Sequence, residues 1–118
     1  MPSTPDQLKR FIRDVVDYPQ KGIIFRDITP LLADKLVFRE IVDMMSKAWL
    51  QDKPDLVAAI EARGFIPGAA IAVKLGAGFV PIRKTGKLPW KTIVETYDLE
   101  YGTDQLEVHE DAIQAGQK

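Results

Sequence analysis

The stretch Leu56-Val57-Ala58-Ala59-Ile60-Glu61-Ala62-Arg63-Gly64-Phe65 decides the fold, because its first half is a continuous apolar run. Such a run, bounded by polar residues, is typical of a strand buried on both faces of a parallel sheet. A helix is predicted next, from Pro67 to Leu75, since Gly76 then ends the apolar pattern. Phe79-Val80-Pro81-Ile82 predicts a second strand, at an edge or a bulge because proline lacks an N–H. The sequence therefore predicts a strand–helix–strand unit and an α/β fold with a parallel sheet.

Two helices are predicted before this unit. The segment Thr4-Pro5-Asp6-Gln7 has the pattern of a capping box with proline at the first helical position, so a helix is expected over about residues 5–16. A second helical pattern runs over about residues 34–50. Between them, a cluster of helix breakers precedes Ile23-Ile24-Phe25, an apolar run that fits a brief strand or a docked loop.

A hairpin is predicted after the second strand. Residues 93–101 and 105–109 are expected to pair as two arms around the turn Gly102-Thr103-Asp104. The segment that leads to them is rich in Lys, Gly and Pro, which favours a flexible loop. His109, the one histidine of the sequence, has no partner at metal-ligand spacing and is interpreted as structural.

The composition of the sequence limits the functions that the protein can have. The 118 residues are 46% hydrophobic and 28% charged, a balance typical of one globular domain. Lys and Arg total 16 against 17 Asp and Glu, so no overall field favours nucleic acid or an anionic membrane surface as a partner. The sequence has no cysteine and no apolar stretch near the roughly 20 residues that span a bilayer. A cytoplasmic location is therefore expected.

The turn after the first predicted strand is a candidate anion site. In open α/β sheets, ligands bind beyond the carboxyl ends of the strands, where a helix N-terminus presents free N–H groups. Arg63 would add a bidentate donor for a phosphate, and Gly64 would allow close approach of the backbone. From spacing alone, an exposed arginine in a surface ion pair is the more frequent case.

A second group of cations follows the next strand and comprises Arg83, Lys84, Lys87 and Lys91, within nine residues. Taken alone, this segment fits a solvated turn. Trp90 could stack a nucleic-acid base beside the cations, but the rest of the sequence supplies no basic surface to support that interpretation. Both basic segments follow strand ends, which meet at one edge of a parallel sheet, and a polyphosphate suits this arrangement best.

The predicted hairpin carries three carboxylates and two tyrosines between Glu95 and Gly102. On a strand, Asp98 and Glu100 share a face, so they could act as an acid/base pair or bind magnesium. A solvated polar face of the hairpin explains the same residues and is the more frequent case.

Four blocks of the sequence, in this order, resemble the adenine phosphoribosyltransferase family. They are Asp17-Tyr18-Pro19 with Gly22–Leu32, Glu61–Phe65, Arg83–Pro89 and Tyr97–Gly102. Each block alone is weak evidence, whereas four collinear blocks at matching intervals are very improbable by chance. The resemblance covers essentially the whole chain. It implies a type I phosphoribosyltransferase fold, with a parallel sheet flanked by helices and an amino-terminal hood that recognises the base.

The same resemblance implies an activity and the residues that serve it. Adenine and phosphoribosyl pyrophosphate would be joined to give AMP and pyrophosphate in purine salvage, with Mg²⁺ bound through the donor substrate and no metal ligand from the protein. It assigns adenine binding to Ile24, Phe25 and Arg26, donor binding to Arg63, Arg83, Lys84 and Lys87, and catalysis to Glu100 and Tyr101.

The resemblance also predicts how the chain is organised. Residues 1–33 would be the hood and residues 54–118 the core sheet with a flexible catalytic loop, within a single incomplete domain. Members of the family form homodimers and continue from the turn at residues 115–118 into a loop that cradles the ribose 5-phosphate. That motif is absent from this sequence, so we expect a fragment or a truncated form whose own activity is doubtful.

Two alternatives from other classes of function stay open. The chain could be a purine-binding module without catalysis, or the basic loop could bind nucleic acid on an unrelated α/β domain. Salt-dependent binding to DNA or RNA would identify the latter.

Overall fold

The computed structural model describes residues 3–118, so Met1 and Pro2, which belong to the predicted hood, lie outside the described part. The chain forms two compact units, one that ends at Met45 and one from Ser46 to Lys118. The described part of the predicted hood falls in the first unit, and the predicted core sheet falls in the second. None of the helices described here combines the length and the apolar character that crossing a bilayer requires.

The first unit begins with helix α1 (Pro5–Lys9), and its start confirms the predicted capping box. The Thr4 hydroxyl accepts a hydrogen bond from the Gln7 N–H at 3.2 Å, and the Gln7 side chain accepts one from the Thr4 N–H at 2.8 Å. The prediction that this helix continues to residue 16 is wrong. Strand β1 (Arg13–Val16) follows it instead.

Strand β1 pairs antiparallel with strand β2 (Ile24–Asp27), which confirms a brief strand at that position. Arg13 lies opposite Asp27, and Asp14 lies opposite Arg26. These two rungs place opposite charges side by side, and the ladder satisfies the backbone N–H and C=O groups. Pairing over a long sequence separation therefore overrides the local helical pattern.

Two further helices follow: α2 (Thr29–Ala33), which was not predicted, and α3 (Lys35–Ser46), of which all but the last residue belongs to the first unit. A single 3₁₀ turn (Lys47–Trp49) continues α3, so the helix predicted over residues 34–50 is confirmed. The core of this unit contains three buried side chains and four that are partly buried: Leu8, Leu31, Val37, Phe11, Ile12, Leu32 and Ile41.

The second unit contains the predicted strand–helix–strand arrangement, formed by β3 (Leu56–Ile60), α4 (Phe65–Leu75) and β4 (Gly78–Lys84). β3 and β4 are parallel, with Ile60 opposite Ile82. The side chains of β3 are half-buried or exposed, although burial on both faces was expected. The Gly78 N–H and the Ile82 C=O bond to the β3 side. Pro81 therefore presents its missing N–H to the other side, where residues 78–82 have no partner strand in the described chain.

The predicted hairpin is confirmed as strands β5 (Thr92–Leu99) and β6 (Gly102–His109). Its turn lies at Glu100 and Tyr101, two residues before the predicted position, because Gly102 already pairs with Leu99. β6 also pairs antiparallel with the last two residues of β4. The sheet is thus mixed and four-stranded, in the order β3-β4-β6-β5, and the α/β fold class is confirmed.

Helix α4 packs on β3 and β4 through its buried residues Ile71, Ala72 and Leu75. Gly68 lies at the closest approach, since a Cβ built there would be 2.7 Å from the Ala59 Cβ and 3.2 Å from a ring carbon of Phe79. The helix can therefore approach the sheet this closely only because residue 68 has no side chain.

We expect Gly68→Ala to lower the stability of the protein, although alanine favours a helix by about 1 kcal/mol over glycine. The overpacking against β3 costs about 1–3 kcal/mol and outweighs that gain. Thermal unfolding followed by circular dichroism measures the change. Val73→Ala, on the exposed face of the same helix, is the control and should not lower the midpoint. A Gly68→Ala midpoint at or above that of the parent would contradict the close packing.

Candidate functional site

The carboxyl ends of β3 and β4 lie side by side and carry the two basic segments. The Glu61 N–H donates to the Ile82 C=O at 2.9 Å, which extends the parallel ladder one residue beyond β3. The chain then turns through Ala62, with a cis Glu61–Ala62 peptide bond, to Arg63 and α4. A Cβ on Gly64 would lie 2.6 Å from the Ile60 carbonyl oxygen, so this tight turn requires glycine. The Arg63 turn and the end of β4 thus start from one edge of the sheet.

The Glu61 carboxylate links the turn after β3 to the end of β4. One oxygen accepts the Lys84 backbone N–H at 2.5 Å, and the other lies 3.7 Å from the Arg83 guanidinium. Arg83 also donates to the Lys87 carbonyl at 3.5 Å. Glu61 therefore fixes where these cations leave the sheet, a role that the sequence analysis did not assign to it.

The Lys84 ammonium is bound to the hairpin. It donates to the Asp104 carboxylate and, at 3.1 Å, to the Tyr97 hydroxyl. The Tyr97 hydroxyl in turn donates to the same Asp104 oxygen at 3.2 Å, so the three side chains form a closed triangle. Tyr97 and Asp104 face each other across β5 and β6, which places both side chains on one face of the hairpin.

These contacts stabilise the charged forms of both ionisable groups. The hydrogen bond to Asp104, followed by that to Tyr97, raises the pKa of Lys84 above its ordinary value. The hydrogen bond from Lys84, followed by that from the Gln105 backbone N–H, lowers the pKa of Asp104. The ion pair therefore persists across the physiological pH range.

Glu100 and Tyr101, the two residues assigned to catalysis, form the two-residue turn at the tip of the hairpin. Both are exposed, and the Tyr101 side chain is 90% exposed. A short turn that projects from a sheet can move without disturbing the core. This position suits residues that act as a lid closes.

The three residues assigned to the base lie on β2 in the first unit. The Phe25 ring packs edge-on against Tyr18, with ring centroids 5.4 Å apart. Arg26 forms an ion pair with Asp14 across the β1–β2 ladder. Ile24 is half exposed, so an apolar side chain and aromatic rings are available here to a planar ligand.

A cleft of about 410 Å³ opens in this unit, lined by Lys9, Ile12, Asp14 and Arg26. Its volume falls within the range that small-molecule ligands occupy. On the neighbouring rung of the β1–β2 ladder, the Thr29 hydroxyl and then the Thr29 N–H hydrogen bond to Asp27 and lower the pKa of that carboxyl group. The cleft therefore borders a hairpin that is held by charged pairs.

The structure brings together, within the second unit, the residues assigned to the donor at one sheet edge. Arg83 and Lys84 end β4, Lys87 lies in the following turn, and Arg63 is exposed before α4. The partners of Lys84 were not predicted from the sequence. Asp104 was placed in the hairpin turn, and only the register of β5 with β6 puts it opposite Tyr97.

Comparison with known proteins gives a consistent set of relatives. No family model matches the chain. The adenine phosphoribosyltransferase of Thermotoga sp. (strain RQ2) is 64% identical over 111 residues, which cover 94% of this chain and 65% of the relative. The chain thus spans about two thirds of the length of its curated relatives.

Solved structures agree with this comparison. The crystal structure of the adenine phosphoribosyltransferase of Thermoanaerobacter pseudethanolicus is 53% identical with a TM-score of 0.88, over 97% of this chain and 66% of that one. The Saccharomyces cerevisiae adenine phosphoribosyltransferase, crystallised with a bisphosphate imino-altritol and adenine, is 36% identical with a TM-score of 0.83, over 95% and 66%. Both structures have the fold of this chain over the aligned part.

We expect Asp104→Asn to destabilise the hairpin at neutral pH and to flatten the acid dependence of stability. Because the pKa of Asp104 is lowered in the folded state, its contribution is present above the ordinary value of 3.8 and is lost as the pH falls below it. Unfolding midpoints from pH 7 to pH 2 should show parent and variant converging at the acid end. Asp98→Asn, on an exposed position of the same hairpin, is the control, and an equal effect of both changes would contradict this role.

Proposed function

Because the chain belongs to the adenine phosphoribosyltransferase family, we propose that it supplies the base-binding and donor-binding parts of an enzyme that makes AMP. The reaction joins adenine to phosphoribosyl pyrophosphate and releases pyrophosphate. The chain covers 65% of the relative from Thermotoga sp., so the activity is proposed for a full-length protein of the relatives' size.

One observation carries this proposal: two basic segments leave one edge of a parallel strand pair and are tied to each other there. Glu61 bonds to Lys84 and lies near Arg83, directly before the turn that carries Arg63. A diphosphate is compact and multiply charged, so it matches cations that start from neighbouring strand ends. A polymer would need a basic surface that extends beyond this edge.

Adenine recognition is proposed for Ile24, Phe25 and Arg26 on β2. Apolar and aromatic side chains would sandwich the flat ring, while backbone groups of this strand bond to its edge. A carbonyl that faces the 6-amino group would be left unpaired by the 6-oxo group of hypoxanthine or guanine. That mismatch costs about 1–3 kcal/mol and favours adenine.

The chemistry follows from the bonds that change. Adenine N9 attacks the anomeric carbon as its bond to the pyrophosphate oxygen breaks, through an oxocarbenium-like state. Arg63, Arg83, Lys84 and Lys87 stabilise the charge that develops on the leaving diphosphate. Glu100 accepts the proton that adenine loses, and Tyr101 beside it helps to close the site against water.

The cations at this edge suit the oxygens of a diphosphate and not a bare metal ion, which fits a Mg²⁺ ion that enters with the donor. When bound, Mg²⁺ would neutralise part of the diphosphate charge. The homodimer and the cytoplasmic location stay predictions from the resemblance and the composition.

In the full-length protein, we expect Arg63→Ala to raise the apparent KM for phosphoribosyl pyrophosphate about 10- to 100-fold, or to lower kcat to a similar extent, because a charge-assisted contact is lost. The KM for adenine should change little, since Arg63 touches nothing on the base. Steady-state kinetics with each substrate varied gives both constants. Arg39→Ala, an exposed arginine on α3, is the control. A larger effect on adenine than on the donor would remove Arg63 from the donor site.

We expect Glu100→Gln in the same protein to lower kcat by about 10²–10⁴ while the affinity for adenine stays within a few-fold. The amide keeps the shape of the side chain but cannot take up the proton, so the loss falls on the transition state. Glu95→Gln, an exposed change on the same hairpin, serves as the matched control. Equal turnover of the Glu100→Gln variant and its parent would exclude Glu100 from proton transfer.

A further inference from the structure

The Lys84 side chain is held by two groups that have no assigned part in the reaction. Its ammonium donates to Asp104 and to Tyr97, and Tyr97 donates to Asp104, so each contact supports the other two. Lys84 ends β4 and lies opposite Leu106 of β6, two residues along β6 from Asp104, which pairs with Tyr97. The triangle therefore lies where the hairpin joins the parallel pair.

The Lys84 ammonium has one N–H donor more than the triangle uses. An ammonium group has three N–H donors and no acceptor. Asp104 and Tyr97 take two of them, and the Lys84 side chain is still 44% exposed. One N–H thus remains for an oxygen from outside the protein.

The main-chain position of Lys84 is fixed as well. Its backbone N–H donates to Glu61, which precedes the Arg63 turn. A free lysine on a flexible stem loses much rotamer freedom when it binds an anion, whereas a lysine held at both ends has lost most of it beforehand. Preorganisation of this kind raises affinity without a new contact to the ligand.

We infer that Tyr97 and Asp104 are positioning residues, which hold the Lys84 ammonium so that its third N–H meets an oxygen of the donor's diphosphate. This inference rests on the proposed function, because it deepens the role of Lys84 in donor binding. Neither residue touches the substrate.

The two partners act in different ways. Asp104 keeps Lys84 charged, consistent with the raised pKa of the lysine, but it also offsets part of that charge. Tyr97 accepts a hydrogen bond from the Lys84 ammonium without forming an ion pair, so it affects only the direction of that group. Tyr97→Phe therefore tests positioning without changing the charge of the site, and the ring that packs there is retained.

The test uses the full-length protein and inorganic pyrophosphate with Mg²⁺ as the probe, titrated by calorimetry, together with steady-state kinetics. Tyr97→Phe should raise the pyrophosphate Kd and the donor KM about 3- to 10-fold, the size of one hydrogen bond. The adenine KM should not change. Thr96→Val is the matched control: the Thr96 hydroxyl accepts from Gln105 at 3.2 Å on the neighbouring rung, so this change weakens the hairpin without touching Lys84.

A double-mutant cycle separates positioning from a general loss of structure. In a Lys84→Met background, Tyr97→Phe should have no further effect on pyrophosphate binding, because no ammonium remains to be positioned. An undiminished effect in that background, or equal effects of Tyr97→Phe and Thr96→Val, would overturn the inference. A parent protein that binds pyrophosphate but makes no AMP would instead overturn the proposed function, while the binding cycle would still decide the inference.

Discussion

The proposed donor site depends on the parallel pairing of β3 with β4. This pairing brings two segments that are about twenty residues apart to one edge, with Ile60 opposite Ile82. The close fit of α4 at Gly68 holds this pair from one face, and the tight turn at Gly64 returns the chain into the helix. Without that pairing, the Arg63 turn and the end of β4 would be unrelated loops, and the proposed diphosphate site could not form.

The hairpin β5–β6 depends on the same edge. β6 joins the sheet only at the last two residues of β4, and the Lys84 triangle lies at that junction. Its tip, with Glu100 and Tyr101, is exposed and distant in sequence from the paired segment of β4. The Lys84 triangle holds the hairpin at the Tyr97–Asp104 rung, and two further rungs separate that rung from the tip.

The sequence predicted the elements that leave a strong pattern in consecutive residues. The apolar run at residues 56–60 and the stop at Gly76 predicted β3 and α4, because a continuous apolar run and a left-handed glycine cap leave clear signals in the sequence. The helix expected through residue 16 was wrong because Asp14 pairs with Arg26 across a hairpin. The contact of Lys84 with Asp104 spans 20 residues and depends on strand register. The roles of the site residues came from the resemblance and not from spacing.

The most direct test of the proposed function is the conversion of labelled adenine by the full-length protein. With Mg²⁺, we expect AMP and pyrophosphate to form in equal amounts, only when phosphoribosyl pyrophosphate is present. Labelled hypoxanthine should be converted at least about tenfold less efficiently, because its 6-oxo group would leave the backbone carbonyl that faces it without a hydrogen bond. Binding of adenine without formation of AMP at any donor concentration would contradict the proposal and identify a purine-binding protein instead.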